Sequence, residues 1–195
     1  NATRYYTTQD YLDLQVWFNL TWFDPFFKEN DPFLRELIRK GSDFTESEKT
    51  LLIGKQREIM ALIIPEYKKL SDMGRIELTT TPFYHPILPL LCDTDLAKVA
   101  SPEIHLPELR YSHPEDAKAQ IARALTYHEG LFGTRPRGMW PAEGSVAEDI
   151  IPLLAEAGIA WIASDEGVLA RSLGLHIERD FDGVMKNPAV LYKPY

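Results

Sequence analysis

The spacing of apolar positions changes several times along the chain, and each change predicts a new element. Residues 11–22 partly alternate and are dense in aromatic and β-branched types. They predict a strand over about 14–22, ended by Phe23-Asp24-Pro25, with Trp22 and Asp24 at its carboxyl end and Trp17 and Phe18 in the core. Pro32 to Arg39 predicts a short helix ending at Gly41. Thr45-Glu-Ser-Glu48 then has capping-box spacing, and Leu52, Ile59, Leu62 and Ile63 continue a helical stripe towards Met73. Pro65 should kink or break that helix, and Gly74 should end it. Gly74 to Thr81, rich in Thr and Ile, predicts a strand closed by Pro82.

The second half keeps alternating. Asp93 to Val99 predicts a short helix, and Ser112 to Phe132 predicts a longer one stopped by Gly133. Arg137 to Trp140 predicts a short strand, followed by a helix from about Val146 to Glu156 with Ser145-Val-Ala-Glu148 as its capping box. Ile159 to Ala163 is a continuous apolar run and predicts a buried strand. A helix follows to about Leu173, and Val190-Leu-Tyr192 predicts one more strand. Strands that alternate with helices argue for an α/β fold with a parallel sheet. Repeats and convincing linkers are absent, so residues 1–195 read as one domain.

Composition narrows the partners. The net charge is -8, from 21 basic and 29 acidic residues, which disfavours nucleic acid and anionic membranes. A neutral polymer such as a glucan is compatible with that charge. Cys92 is the single cysteine, so no internal disulfide can form, which fits a reducing compartment. Membrane-spanning runs and a leader are missing from the sequence, and a cytoplasmic location is expected. The chain starts with Asn and stops after a strand-like run, so we expect a piece of a longer protein.

The chemistry centres on Arg137 to Val146, Arg-Gly-Met-Trp-Pro-Ala-Glu-Gly-Ser-Val. Glu143 falls in a strand-to-helix connection beside Trp140, where α/β domains bind ligands. A carboxylate can attack or stabilise a sugar carbon, and an indole face can stack on a sugar. Glu77 lies within a predicted strand and is costly there unless paired or facing a wet pocket; His85, in the next loop, can reach the same pocket. Solvent exposure of Glu77 on an edge strand is the equal alternative. Asp165 sits at a strand end and also reads as a plain helix N-cap. Signatures for nucleotide binding and for a nucleophilic serine are missing, and neither His113 nor His128 has metal-ligand spacing, so neither cofactor nor metal is expected. Asp24, Glu77, Glu143 and Asp165 remain, with Trp22, Trp140 and Trp161 among them.

Three stretches resemble glycoside hydrolase family 57: Gly74-Arg-Ile-Glu77-Leu with Thr-Thr-Thr-Pro-Phe-Tyr-His85-Pro-Ile-Leu-Pro, Met-Trp140-Pro-Ala-Glu143-Gly-Ser-Val, and Trp161-Ile-Ala-Ser-Asp165-Glu166-Gly-Val-Leu. Their order and spacing carry the resemblance from about Trp17 to Tyr195. The look is nearest to the family's α-amylase and amylopullulanase branch. The resemblance implies a (β/α)7 barrel, of which this chain holds part. It implies a retaining mechanism on α-glucosidic bonds of starch- or glycogen-like glucans, with Glu143 as nucleophile. It implies that Glu77 and His85 line the substrate pocket, with Trp140, Asp165 and Glu166 as further pocket residues; Trp22, at the end of the first predicted strand, is expected to contact substrate as well. A 4-α-glucanotransferase, or a glucan-binding domain of the same shape without chemistry, is the alternative it leaves. The family's opening His-Gln-Pro and its Phe-Arg-Asp-type acid/base motif are both missing here, and the acid/base is expected after Tyr195.

Overall fold

The structure is a computed structural model, and the residues described are 5–192. The chain divides into two compact units, residues 1–70 and 71–195.

The first unit is helical. It contains α1 (Thr8–Thr21), α2 (Pro25–Asn30), α3 (Pro32–Lys40) and most of α4 (Glu46–Asp72). Each start is written locally. Thr7 and Asp10 form a capping box on α1. Asp24 and Asp31 cap α2 and α3, each followed by Pro at the first helical position, where a missing N–H costs nothing. Thr45 and Glu48 form the expected box on α4: Glu48 N–H donates to Thr45 Oγ1 at 3.2 Å, and Thr45 N–H to Glu48 Oε2 at 2.7 Å. The unit's core is Val16, Leu20, Phe23, Leu34, Leu37, Phe44 and Leu52.

Two expectations change here. The strand expected over 14–22 is helix α1. Its core contacts, Leu12, Val16, Leu20 and Phe23, recur every three or four residues, so the helical period prevails over β-propensity. Trp17 and Phe18 consequently lie off that stripe and are exposed. Trp17 instead donates its indole N–H to the Gly41 carbonyl at 2.8 Å. In α4 the helix is not broken at Pro65. The carbonyl that loses its partner belongs to exposed Ala61, where water can satisfy it.

The second unit carries the parallel strands. Thr80 forms an isolated parallel bridge to Met139. Strand β1 (Gly138–Met139) pairs in parallel with β2 (Trp161–Ile162), Gly138 opposite Trp161 and Met139 opposite Ile162. Between Thr80 and β1 the chain forms α5 (Leu88–Cys92), α6 (Ala97–Ala100) and α7 (Pro114–Phe132). Between β1 and β2 it forms α8 (Ile151–Glu156), and after β2 comes α9 (Glu166–Leu173). α7 buries Ala117, Ile121, Ala124, Leu125 and His128, and Gly133 ends it in the left-handed region that glycine favours. Leu88, Cys92, Ile121, Met139, Ile150 and Leu154 are among the core beneath the strands.

The parallel α/β arrangement is present, but with less strand than the sequence predicts. Of Gly74–Thr81 only Thr80 bridges, and of 159–163 only residues 161–162 pair, with Trp161 exposed rather than buried. Val190 ends a 3-10 turn, Pro188–Val190, rather than opening a strand. Ser145 caps no helix: its N–H closes a turn onto Ala142 at 3.1 Å, and the following helix starts as a 3-10 turn at Glu148. The described residues form two strands, a parallel bridge at Thr80 and an antiparallel bridge between Arg179 and Met185, which is short of a closed barrel.

Candidate active site

The site grows from the carboxyl end of β1. Trp140 N–H donates to the Thr80 carbonyl at 2.8 Å, which lays the segment after Thr80 beside the segment after Met139. The chain then turns sharply. Glu143 has φ 58° and ψ 19°, and Gly144 has φ 65°. Two successive left-handed residues make a tight reversal that projects Glu143 outwards. Such a backbone costs a non-glycine residue roughly 1–2 kcal/mol. Strain of this kind persists only where surroundings fix it, and it gathers at functional sites.

His85 stands across from it, also with a positive φ of 58°. Its Nε2 lies 3.1 Å from Glu143 Oε1, and its Nδ1 lies 3.2 Å from Thr81 Oγ1. When the Thr81 hydroxyl donates to Nδ1, Nε2 carries the proton and donates it to the carboxylate. Both partners stay open to solvent, His85 at 49% and Glu143 at 69% side-chain exposure, so a ligand can reach them.

The other expected residues surround this pair unevenly. Glu77 Oε1 accepts the Trp161 indole N–H at 3.0 Å. The Trp161 ring packs on Gly138, where a Cβ would come within 2.3 Å of it. Trp140, 41% exposed, packs its ring edge on Gly144, where a Cβ would sit 3.2 Å from the indole. Asp165 caps α9, accepting from Val168 N–H at 3.0 Å, and its backbone N would lie 3.8 Å from that same Gly144 Cβ. Glu166 is engaged in an ion pair with Arg179. Trp22 belongs to the first unit, where it lines a groove of about 540 Å³ with Asn19, Asp24, Phe27, Gln56 and Met60.

Glu77, His85, Trp140, Glu143 and Asp165 therefore fall on neighbouring segments of one unit, with Glu166 next in the chain and turned to Arg179. Thr81 and the pairing of Trp161 with Glu77 add to the expected set. Trp161 was legible as an aromatic in a strand; its bond to a carboxylate 84 positions away was not. Among the described residues, groups of His, Cys, Asp or Glu able to hold a metal ion are absent. Helices long and apolar enough to cross a membrane are likewise absent among them.

A family model described as glycosyl hydrolase family 57 matches residues 3–195. Alpha-amylase 1 of Dictyoglomus thermophilum is 30% identical over 106 residues, covering 52% of this chain and 12% of that protein. Among solved structures, the α-amylase AmyC of Thermotoga maritima aligns over 91% of this chain and 30% of its own, with 17% identity and a TM-score of 0.47. A branching enzyme of Pyrococcus horikoshii aligns over 91% and 32%, with 16% identity and a TM-score of 0.48. The chain thus spans about an eighth of the curated relative and about a third of these two structures.

Proposed function

The chain belongs to glycosyl hydrolase family 57, and from that premise we propose that it is part of a catalytic domain that cleaves α-glucosidic bonds with retention, Glu143 being the nucleophile. The observation that carries this reading is the strained, solvent-open Glu143 with its carboxylate bonded to His85 at 3.1 Å. A nucleophile must be ionised, fixed in direction and accessible, and this carboxylate meets the last two conditions by backbone geometry and exposure. The name of the Dictyoglomus relative supports a starch- or glycogen-like substrate.

Glu143 attacks the anomeric carbon as the glycosidic C–O bond breaks, and the leaving oxygen takes a proton from a second carboxyl. That group, in this reading, comes from beyond Tyr195. Water, activated by the same second carboxyl, then attacks the glycosyl ester, and two inversions give net retention. An acceptor sugar in place of that water would make the same intermediate a transferase step. Trp140 and Trp161 offer indole faces to sugar rings, while Glu77 and Asp165 have carboxylate oxygens for hydroxyl groups. Glu166, held in its ion pair with Arg179, is a further substrate contact in this reading. Trp22 offers a separate stacking face in the first unit. The chain acts as one part of a (β/α)7-type barrel, for which the parallel Thr80, β1 and β2 segments are the support.

The test is E143A in the full-length protein with an α-maltosyl fluoride and azide. Loss of hydrolysis with azide rescue to the β-glycosyl azide is the result expected when the missing group is the nucleophile. An α-glycosyl azide would make Glu143 the acid/base, and undiminished starch hydrolysis would refute any catalytic role.

A further inference from the structure

The turn that carries His85 is gripped from the side by α7. Its entry is fixed by buried Pro82 and its exit by buried Leu88 and Pro89. Its crest is Phe83-Tyr84, closed by His85 N–H donating to the Pro82 carbonyl at 2.8 Å. Both crest amides turn to one residue. Phe83 N–H donates to the Gln120 main-chain carbonyl at 3.3 Å, and Tyr84 N–H to Gln120 Oε1 at 3.0 Å. One helical turn on, the Arg123 guanidinium lies 4.3 Å from the Phe83 ring centre and 5.0 Å from that of Tyr84. One more turn on, Tyr127 meets Phe83 edge to face at 5.5 Å. Gln120, Arg123 and Tyr127 share one face of the helix by their spacing.

We propose that Gln120 and Arg123 are positioning residues that clamp the Pro82–His85 turn and so fix where His85 Nε2 meets the Glu143 carboxylate. This rests on the roles given to Glu143 and His85 above. A left-handed histidine relaxes unless its neighbours over-determine it. The amide-to-Gln120 bonds fix the height of the turn over α7, and the stacked guanidinium fixes its tilt. Removing either frees a turn whose last residue, His85, is the nucleophile's partner. Misplacement by about an ångström at a reacting group costs up to roughly a hundredfold in rate.

The experiment measures kcat and KM of the full-length protein on a soluble α-glucan for Q120L, R123L, H85A and the double variants Q120L/H85A and R123L/H85A. Q120L keeps the size of the side chain but removes the acceptor for Tyr84 N–H. Q120L and R123L are each expected to lower kcat roughly tenfold with KM little changed. In the H85A background neither should lower it further, because the clamp acts through His85. Q120E, which keeps an acceptor oxygen, should recover most of the loss. If H85A lowers kcat while Q120L and R123L do not, or if their losses multiply with that of H85A, the clamp is wrong. If H85A leaves kcat unchanged, the role of His85 falls and the clamp with it, while the azide result for Glu143 stands by itself.

Discussion

Replacing Glu143 by glycine and by alanine separates the backbone from the carboxylate. Both substitutions remove the carboxylate and its contact with His85 Nε2, so those losses cancel in the comparison. What differs is the left-handed backbone, φ 58°. Alanine retains a strain of roughly 1–2 kcal/mol there, and glycine does not. Glycine in turn loses roughly 0.5–1 kcal/mol more conformational freedom on folding. The balance favours E143G over E143A by about 0.5–1 kcal/mol, the reverse of the order found within helices and strands. In a unit of this size that separates the melting temperatures by roughly 2–5 °C. Thermal unfolding of the two variants, followed by circular dichroism under identical conditions, reads the difference directly. If E143G melts at or below E143A, Glu143 is not held in the left-handed region, and backbone strain has no part in presenting it.

Two further outcomes follow from contacts in the second unit. G138A puts a methyl carbon 2.3 Å from the Trp161 ring, so the indole must leave Gly138 and its bond to Glu77; overpacking of this kind costs typically 1–3 kcal/mol, and both a lower melting temperature and faster exchange of the Trp161 indole proton should be seen. Asp93 is held to about 2, from an ordinary 3.8, by the Arg110 guanidinium first and then by the Asp95 amide. Its folded value is depressed, so its contribution to stability is present above the ordinary value and is lost as pH falls from about 4 towards about 2. D93N should flatten that part of the acid-unfolding curve, and an unchanged curve would show that the Arg110 contact adds nothing.

Some helix boundaries were legible where a side chain bonds its own backbone or a glycine ends the turn. Thr45 with Glu48 announced α4, and Gly41 and Gly133 announced the ends of α3 and α7, because capping is local chemistry. Residues 14–22 misled because aromatic and β-branched types favour strands while their burial follows a helical stripe. The Thr7 to Asp10 box, in plain sequence view, argued for the helix. The short extents of β1 and β2 were illegible, since pairing depends on partners distant in the chain. Glu143 stood out in the sequence by its motif and His85 by its loop. Their meeting was not, because it depends on left-handed backbone at both residues, neither of them glycine, and on a turn held by α7.

The two indoles at the site also make it self-reporting in light. The chain has four tryptophans, and Trp17 and Trp22 belong to the first unit. With those two replaced by phenylalanine, the tryptophan emission of this chain comes from Trp140 and Trp161, residues 41% and 42% exposed that pack on Gly144 and Gly138 respectively. A sugar stacked on either ring excludes water from it, so its emission shifts to the blue and resists quenching by iodide. If the second unit binds glucan as proposed, its occupancy can be titrated with no label and no turnover, including in variants that lack Glu143.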